Sequence, residues 1–322
     1  GRTMEINKIG YVGLGRMGYA MVSNLLGHGI GVVAYDLDRS KTDNLSSERK
    51  ADVDSGKLCA AYSLEELAAN LEKPKLIWLM INAGKPIDDT IAALLPYLSA
   101  EDVLIDGGNS FFRDSQRRGA ELARKNISFM DVGTSGGVDG ARSGACLMIG
   151  GDQSVYQRLE ELFRKIAAPQ GYLHAGPSGF GHLVKGVHNL VEYGYLQALA
   201  EGLVSLKEVS NSYGHEISLN EVCRVWSRRS LVESRLTRDA EAALRKNPTL
   251  DGISGSVCGQ VQSEMEELVK ISLELGVNVP AAEAAINARR ESQKNPNLTG
   301  KIINIIRNYF GQHEVTLKLE EK

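Results

Sequence analysis

Lys8-Ile9-Gly10-Tyr11-Val12 followed at once by Gly13-Leu14-Gly15-Arg16-Met17-Gly18 reads as a short buried strand running into a glycine turn. Ala20-Met21-Val22-Ser23-Asn24-Leu25-Leu26 then continues with a helical pattern. A lone G-x-G-x-x-G is often only a flexible turn. Between a strand and a helix it has a mechanism. The first glycine permits the tight turn, the second lets the backbone approach a pyrophosphate, and the third lets helix and strand pack closely. The helix N-terminus offers free N–H groups and a positive dipole end to the phosphates.

The second strand, Gly31 to Tyr35, ends at Asp36. An acid there accepts hydrogen bonds from the adenosine ribose hydroxyls and repels a 2′-phosphate, which selects NAD over NADP. Arg39 nearby blurs that preference, and a plain turn residue is the bland reading of Asp36. Helical and strand patterns then alternate: helix 64–71, strand 75–81, helix 87–98, strand 103–106, helix 115–125 and strand 128–132. Met80 lies near the end of the first of these strands. Gly107-Gly108-Asn109-Ser110 and Gly133-Thr134-Ser135-Gly136-Gly137 follow the later two as glycine-rich turns. Strands 146–151 and 171–174 close the pattern. Alternation of this kind predicts a Rossmann-type, doubly wound parallel sheet with ligands at the C-terminal strand ends. From His182 to about Glu208 no strong breaker occurs, and one long helix is expected. Further helices are expected over 219–226, 231–244, 261–275 and 280–292. The fold class is an α/β sheet domain, 4–176, plus an all-α domain, 177–315.

Composition bounds the function. The 322 residues suit two domains, and 43% hydrophobic with 24% charged residues describes an ordinary globular chain. A net charge of −3 argues against a general nucleic-acid binder. No apolar run approaches a membrane span. The N-terminus shows no basic segment before an apolar core. Cys59, Cys146, Cys223 and Cys258 are scattered without a C-x-x-C pair, so neither a metal cluster nor a disulfide framework is expected. A reducing cytoplasm fits these cysteines.

Gly181-His182-Leu183-Val184-Lys185-Gly186-Val187-His188-Asn189-Leu190-Val191-Glu192-Tyr193 opens the helical half. As a helix it sets Lys185, His188, Asn189, Glu192 and Tyr193 on one stripe and Val184, Val187 and Val191 on another. An amine, an imidazole, a carboxamide, a carboxylate and a phenol together contain a base, an acid and several donors. The bland reading is a surface helix with its polar stripe in water.

Taken in order, Gly13–Gly18, Asp106-Gly107-Gly108-Asn109-Ser110, Gly133–Gly137 and Lys185–Tyr193 resemble the β-hydroxyacid dehydrogenase superfamily. The D-G-G-N-S turn and the K-x-V-H-N-x-x-E-Y helix narrow the resemblance to the 6-phosphogluconate dehydrogenase family, in its short decarboxylating form. It covers about Ile6 to Val315. The resemblance implies a base at Lys185 and an acid at Glu192, with His188 and Asn189 beside them. It implies cofactor contacts at Gly13, Gly15, Arg16, Met17, Gly18, Asp36, Met80 and Asn109. Asn109, Ser135, Gly136, Gly137, His188 and Asn189 would position a small sugar acid. Tyr193, Arg289, Arg307 and His313 would hold its terminal phosphate, the last two reaching in from a second subunit. A homodimer or homotetramer is implied, its C-terminal tail completing the neighbouring site. No metal is needed, because a β-keto acid supplies its own electron sink.

Some positions depart from the family. Gly186 and Leu190 replace a methionine and a glycine inside the helix. Glu266 stands where a phosphate-binding Lys or Arg is usual, and an acid beside a dianion repels it. Lys270 or another basic residue is a candidate to supply the missing charge. Three alternatives to 6-phosphogluconate oxidation follow: the same reaction on 6-deoxy-6-sulfogluconate, a dehydrogenase without decarboxylation, and a non-catalytic NAD-binding protein.

Overall fold

In the computed structural model, residues 6–259 and 262–311 are described. The chain divides into two compact units, Gly1–Gly186 and Val187–Lys322. The division falls inside a long helix, beyond the expected boundary after Gly176.

In the first unit, β1 (Lys8–Val12) leads into α1 (Arg16–Gly27) and β2 (Gly31–Tyr35). Next come α2 (Arg39–Glu48), α3 (Lys50–Asp54), β3 (Leu58–Ala60), α4 (Leu64–Ala69), β4 (Leu76–Leu79), α5 (Lys85–Leu94) and β5 (Val103–Asp106). α6 (Phe112–Ala123), β6 (Ser128–Ser135), α7 (Gly137–Ser143), β7 (Ala145–Gly150), α8 (Gln153–Ile166) and β8 (Ala167–Gly176) complete it. The eight strands form one sheet in the order β3-β2-β1-β4-β5-β6-β7-β8. Successive side chains of a strand point to opposite faces. Ile9, Tyr11, Trp78, Ile105 and Val132 therefore enter one apolar core, while Val12, Val33, Leu79, Leu104 and Phe129 enter another. Both faces are covered, as a parallel sheet requires.

Two expectations change. The sheet is parallel from β3 through β6, but β7 runs antiparallel to β6. A parallel return needs a crossover of a dozen or more residues. The connection here holds only the 7-residue α7. Gly133, Thr134 and Ser135 are accordingly strand, paired with Met148, Leu147 and Cys146, and the turn begins at Gly136. α8, left unassigned above, forms over an apolar stripe of Val155, Tyr156, Leu159, Leu162, Phe163 and Ile166. The Asp152 carboxylate caps its first turn.

α9 (Phe180–Ser212) is the long helix, running across the division between the units. The second unit continues with α10 (Leu219–Trp226), α11 (Arg235–Lys246), α12 (Gln262–Glu274), α13 (Pro280–Lys294) and α14 (Leu298–Gly311). α11 starts later than the apolar pattern suggests because the Ser234 hydroxyl caps it by accepting from Thr237 N. α14 was not read from the sequence. Its Ile302, Ile303, Ile305 and Ile306 join Leu196, Leu203, Ala240 and Leu244 in the unit's apolar core.

Candidate active site

The turn after β1 is shaped by glycine where nothing larger fits. Gly13 has φ +104°, and a Cβ there would lie 2.1 Å from Met80 O. A Cβ on Gly18 would lie 2.0 Å from Gly13 O, so the third glycine lets α1 close on the turn. Around Gly15 a Cβ would meet nothing within 4 Å. Gly15 is also the N-cap of α1, with no side-chain cap and no acid in the first turn. The first amides of α1 therefore face open space with the positive end of the helix behind them, which fits a pyrophosphate. Arg16 is exposed and Met17 and Met80 are half-buried around this turn. Asp36, at the end of β2, accepts from Leu14 N at 2.7 Å and from Asp38 N at 2.8 Å. These bonds hold its carboxylate beside the glycine turn. Arg39 instead lies 4.2 Å over the Tyr62 ring and pairs with Asp43.

At the end of β5, the fully buried Asp106 accepts from Gly108 N at 3.0 Å and from Ser110 Oγ at 2.6 Å. The turn closes around it and leaves Asn109 exposed at its tip. After β6, Gly136 and Gly137 take φ of +109° and +66° and start α7. Ser135 and both glycines are half-buried.

The start of α9 is set by a carboxylate distant in sequence. Asp131, fully buried on β6, accepts from Gly179 N at 2.7 Å and from His182 N at 2.8 Å. A buried carboxylate satisfied by helix N-terminal amides also gains from the helix dipole. The Ser115 hydroxyl and His182 Nδ1 hydrogen-bond at 2.6 Å and brace the same turn. Glycines allow the approach. A Cβ on Gly181 would lie 2.4 Å from Asp131 O, and one on Gly133 would lie 2.4 Å from Lys185 Cβ. Lys185 thus projects from a turn of α9 that touches β6 directly.

Further along α9, Asn189 and Tyr193 are buried and His188 and Glu192 half-buried. His188 Nδ1 lies 3.1 Å from Asn189 Oδ1 and 3.9 Å from Glu192 Oε2. Val184, Val187 and Val191 are 36%, 46% and 67% exposed. This reverses the ordinary amphipathic helix, in which the apolar stripe is covered and the polar one is wet. Leu190 is buried and packs within the protein.

Tyr193 belongs to a cationic cluster in the second unit. The Arg289 guanidinium carbon lies 3.3 Å from the centre of the Tyr193 ring. A Cβ on Gly259 would meet Tyr193 OH, an Arg307 nitrogen and Arg289 Nη1 at 3.3, 3.5 and 3.6 Å. Arg289 is 2% exposed, and its Nη1 has no hydrogen-bond partner. Burial pulls the Arg289 pKa down to about 10, against the opposing pull of Tyr193 and Glu192. It remains charged near neutral pH. Burial lowers Arg307 as well. A buried and a half-buried guanidinium facing a glycine, one with a spare donor, are chemistry that suits an anion.

One reading of this region changes, that of Glu266. Arg307 Nη1 donates to Cys258 O of its own chain at 2.6 Å. One turn earlier, Asn304 Nδ2 donates to Ser254 O and Ser256 O and fixes α14 along this segment. His313 lies outside the described residues. Glu266 does not act as a free repulsive charge. Its Oε1 accepts from Arg290 Nε at 2.9 Å and lies 2.8 Å from Arg290 Nη2. That bond holds its carboxyl below the usual range. Arg290, not Lys270, is the cation set beside it.

Sequence reasoning missed Asp131, Ser115 and Arg118. Asp131 left a signal, an acid inside the apolar strand Phe129-Met130-Asp131-Val132 with no local partner.

The glycine turn, the acid that follows the second strand and the helical second unit together define a dinucleotide-binding sheet joined to a helical domain. Residues 8–176 match the NAD-binding domain of 6-phosphogluconate dehydrogenase, and residues 199–322 match that family's C-terminal domain. A Haloferax volcanii protein named as an NAD(+)-dependent, decarboxylating 6-phosphogluconate dehydrogenase is 37% identical, covering 97% of this chain and 99% of its own. A Bacillus subtilis protein named as the NADP(+)-dependent enzyme is 35% identical over 89% of this chain and 61% of its own. The solved Plasmodium falciparum 6-phosphogluconate dehydrogenase superposes with a TM-score of 0.76 at 25% identity, over 94% of this chain and 70% of that one. The chain belongs to the 6-phosphogluconate dehydrogenase family, whose named relatives are decarboxylating oxidoreductases acting on CH–OH groups.

Replacing Asp131 by Asn keeps the shape but offers only one accepting atom to two amides. A lost charged acceptor in a buried site costs roughly 3 kcal/mol. Urea unfolding of Asp131→Asn is expected to show that loss, and an unchanged midpoint would show that α9 is seated by other contacts.

Proposed function

We propose that the protein catalyses the NAD-dependent oxidative decarboxylation of 6-phosphogluconate to ribulose 5-phosphate and CO2. The Arg289–Tyr193–Arg307 cluster carries this reading. It is a buried anion site on and beside the helix that holds Lys185, Asn189 and Glu192.

When bound, the nicotinamide accepts the hydride from C3 of the sugar acid. Lys185 takes the C3 hydroxyl proton as that hydride leaves. The 3-keto acid then loses CO2, its ketone accepting the electron pair as an enol while Lys185 returns a proton to that oxygen. Glu192 protonates the enediol carbon that had carried the carboxylate, which becomes C1 of the ketose. His188 and Asn189 hold the sugar hydroxyls, joined by Asn109, Ser135, Gly136 and Gly137 as the resemblance implies. Fixing the reacting atoms in this way is a large part of catalysis. Arg289, Arg307 and Tyr193 hold the terminal phosphate, and His313 is assigned to the same group by resemblance. Asp36 repels a 2′-phosphate and favours NAD over NADP, supported by its bonds beside the glycine turn.

The tail group is the finer question. Pairing of Glu266 with Arg290 removes the repulsion that argued against a dianion and supports phosphate. Two arginines also suit the monoanion of 6-deoxy-6-sulfogluconate. Steady-state kinetics with both acids decide, and a kcat/KM many-fold higher for the sulfonate would move the assignment to it. Lys185→Ala and Glu192→Gln are expected to lower kcat by roughly 10²–10⁴, the usual range for a lost base or acid. Arg289→Met is expected to raise KM by about 10- to 100-fold, the loss of one or two charged hydrogen bonds. Unchanged turnover in Lys185→Ala would remove the assigned base.

The exposed valine stripe of α9 supports a homo-oligomer, because water-facing Val184, Val187 and Val191 gain by burial against another subunit. Sedimentation is expected to show a dimer or tetramer, reduced to monomer by Val187→Asp with Val191→Asp. A wild-type monomer would contradict it.

A further inference from the structure

Arg118 is 1% exposed, with its guanidinium buried in the first unit between α5, the turn before it and the end of β5. Its Nε donates to Asp88 Oδ1 at 2.8 Å, and its Nη2 donates to Gly84 O at 3.0 Å. Its Nη1 makes no hydrogen bond and faces Asp106 Oδ2 as an ion pair at 3.7 Å. Gly84, with φ +82°, ends the turn that follows β4 and caps α5. Asp106 holds the next turn, which carries Asn109. Arg117 grips Asp88 from the outer side, its Nη2 lying 3.0 Å from both carboxylate oxygens. The Arg118 bond is the leading cause that lowers the Asp88 pKa.

The two turns also touch backbone to backbone. A Cβ on Gly108 would lie 2.7 Å from Ile81 O, and one on Gly107 would lie 2.2 Å from Trp78 Nε1. The last backbone bond between them is Gly107 N donating to Leu79 O at 2.8 Å, at the ends of β4 and β5. Arg118 is the side chain that reaches the carbonyl of one turn and the carboxylate of the other. A planar guanidinium can serve acceptors in several directions, which a lysine ammonium cannot do from one fixed position. A buried guanidinium is tolerated only when such partners surround it.

The sheet order gives this clamp a direction. β1 has β2 on one side and β4, then β5, on the other. A dinucleotide whose pyrophosphate lies on α1 spreads its adenosine half toward β2, where Asp36 stands. Its nicotinamide half spreads over the C-terminal ends of β4 and β5. Arg118 lies between the two turns at those ends, bonded to Gly84 O and paired with Asp106.

We propose that Arg118 is a positioning residue for the nicotinamide half of the cofactor, acting by locking the 80–84 turn to the 107–110 turn and so fixing Asn109. This rests on reading the chain as a nicotinamide-dependent dehydrogenase. Loss of the clamp lets the two turns part. Asp106 then keeps a buried charge without its cation.

The test compares NADH with ADP-ribose, which lacks the nicotinamide, by calorimetric titration of wild type, Arg118→Met and Arg118→Lys without sugar acid. Loosening a site by about 1 Å can cost on the order of 10²-fold. The Kd for NADH is expected to rise by roughly tenfold or more in Arg118→Met, with ADP-ribose held within about twofold. Arg118→Lys is expected to show the same split on a smaller scale, and it carries the test if the methionine variant does not fold. Equal weakening of both ligands would mark Arg118 as a fold-stabilising residue only, and no weakening of either would remove its role. Wild type that shows normal NADH binding but forms no NADH from 6-phosphogluconate would refute the proposed reaction and leave the clamp standing.

Discussion

Asp131 accepting the first amides of α9 is the contact on which the catalytic assignment depends. It is a carboxylate with no exposure, held 2.7 Å from Gly179 N and 2.8 Å from His182 N. A buried charge of this kind is tolerable only when its bonds are made, and the same bonds satisfy helix amides that would otherwise be orphans. Gly133 and Gly181 remove the side chains that would keep helix and strand apart. Lys185 follows one turn after His182, so its place at β6 is fixed by the seat of the helix rather than by its own flexible chain. Because α9 is unbroken, Asn189, Glu192 and Tyr193 follow at fixed angles around its axis.

The second constraint is charge. Arg289 stays cationic at neutral pH although burial draws its pKa to about 10. Its spare Nη1 is an uncompensated donor until an anion arrives. Tyr193 covers the face of the guanidinium, Glu192 stands close enough to act on it, and Arg307 adds a second positive charge. Under the proposed reaction this cluster takes the charged tail of the sugar acid. Glu266, where the resemblance leads one to expect a cation, is paired with Arg290.

Much of this was legible in the sequence because the relevant signals are local. The glycine turn, the acid at the end of β2 and the polar stripe of α9 all lie within short stretches with a known period or spacing. The reversal of β7 was not read, because it depends on the brevity of α7 rather than on either strand. The role of Asp131 could not be assigned, since its partners lie 48 and 51 residues away. Arg118 was hidden for the same reason, with Asp88 30 and Gly84 34 residues distant. Glu266 was a correct local reading with an incomplete cause: its charge was seen, but its partner Arg290, 24 residues on, was not. The valine stripe was recognised as a stripe, and only the structure showed that it faces water.

The central claim is that one helix, seated by Asp131, runs hydride removal and loss of the carboxylate as one sequence. The most direct measurement is the yield of NADH and of labelled CO2 from 6-phosphogluconate carrying ¹³C at C1, with NAD and purified protein. The account predicts NADH and ¹³CO2 appearing together in equal amounts. NADH without ¹³CO2, or neither product, would contradict it.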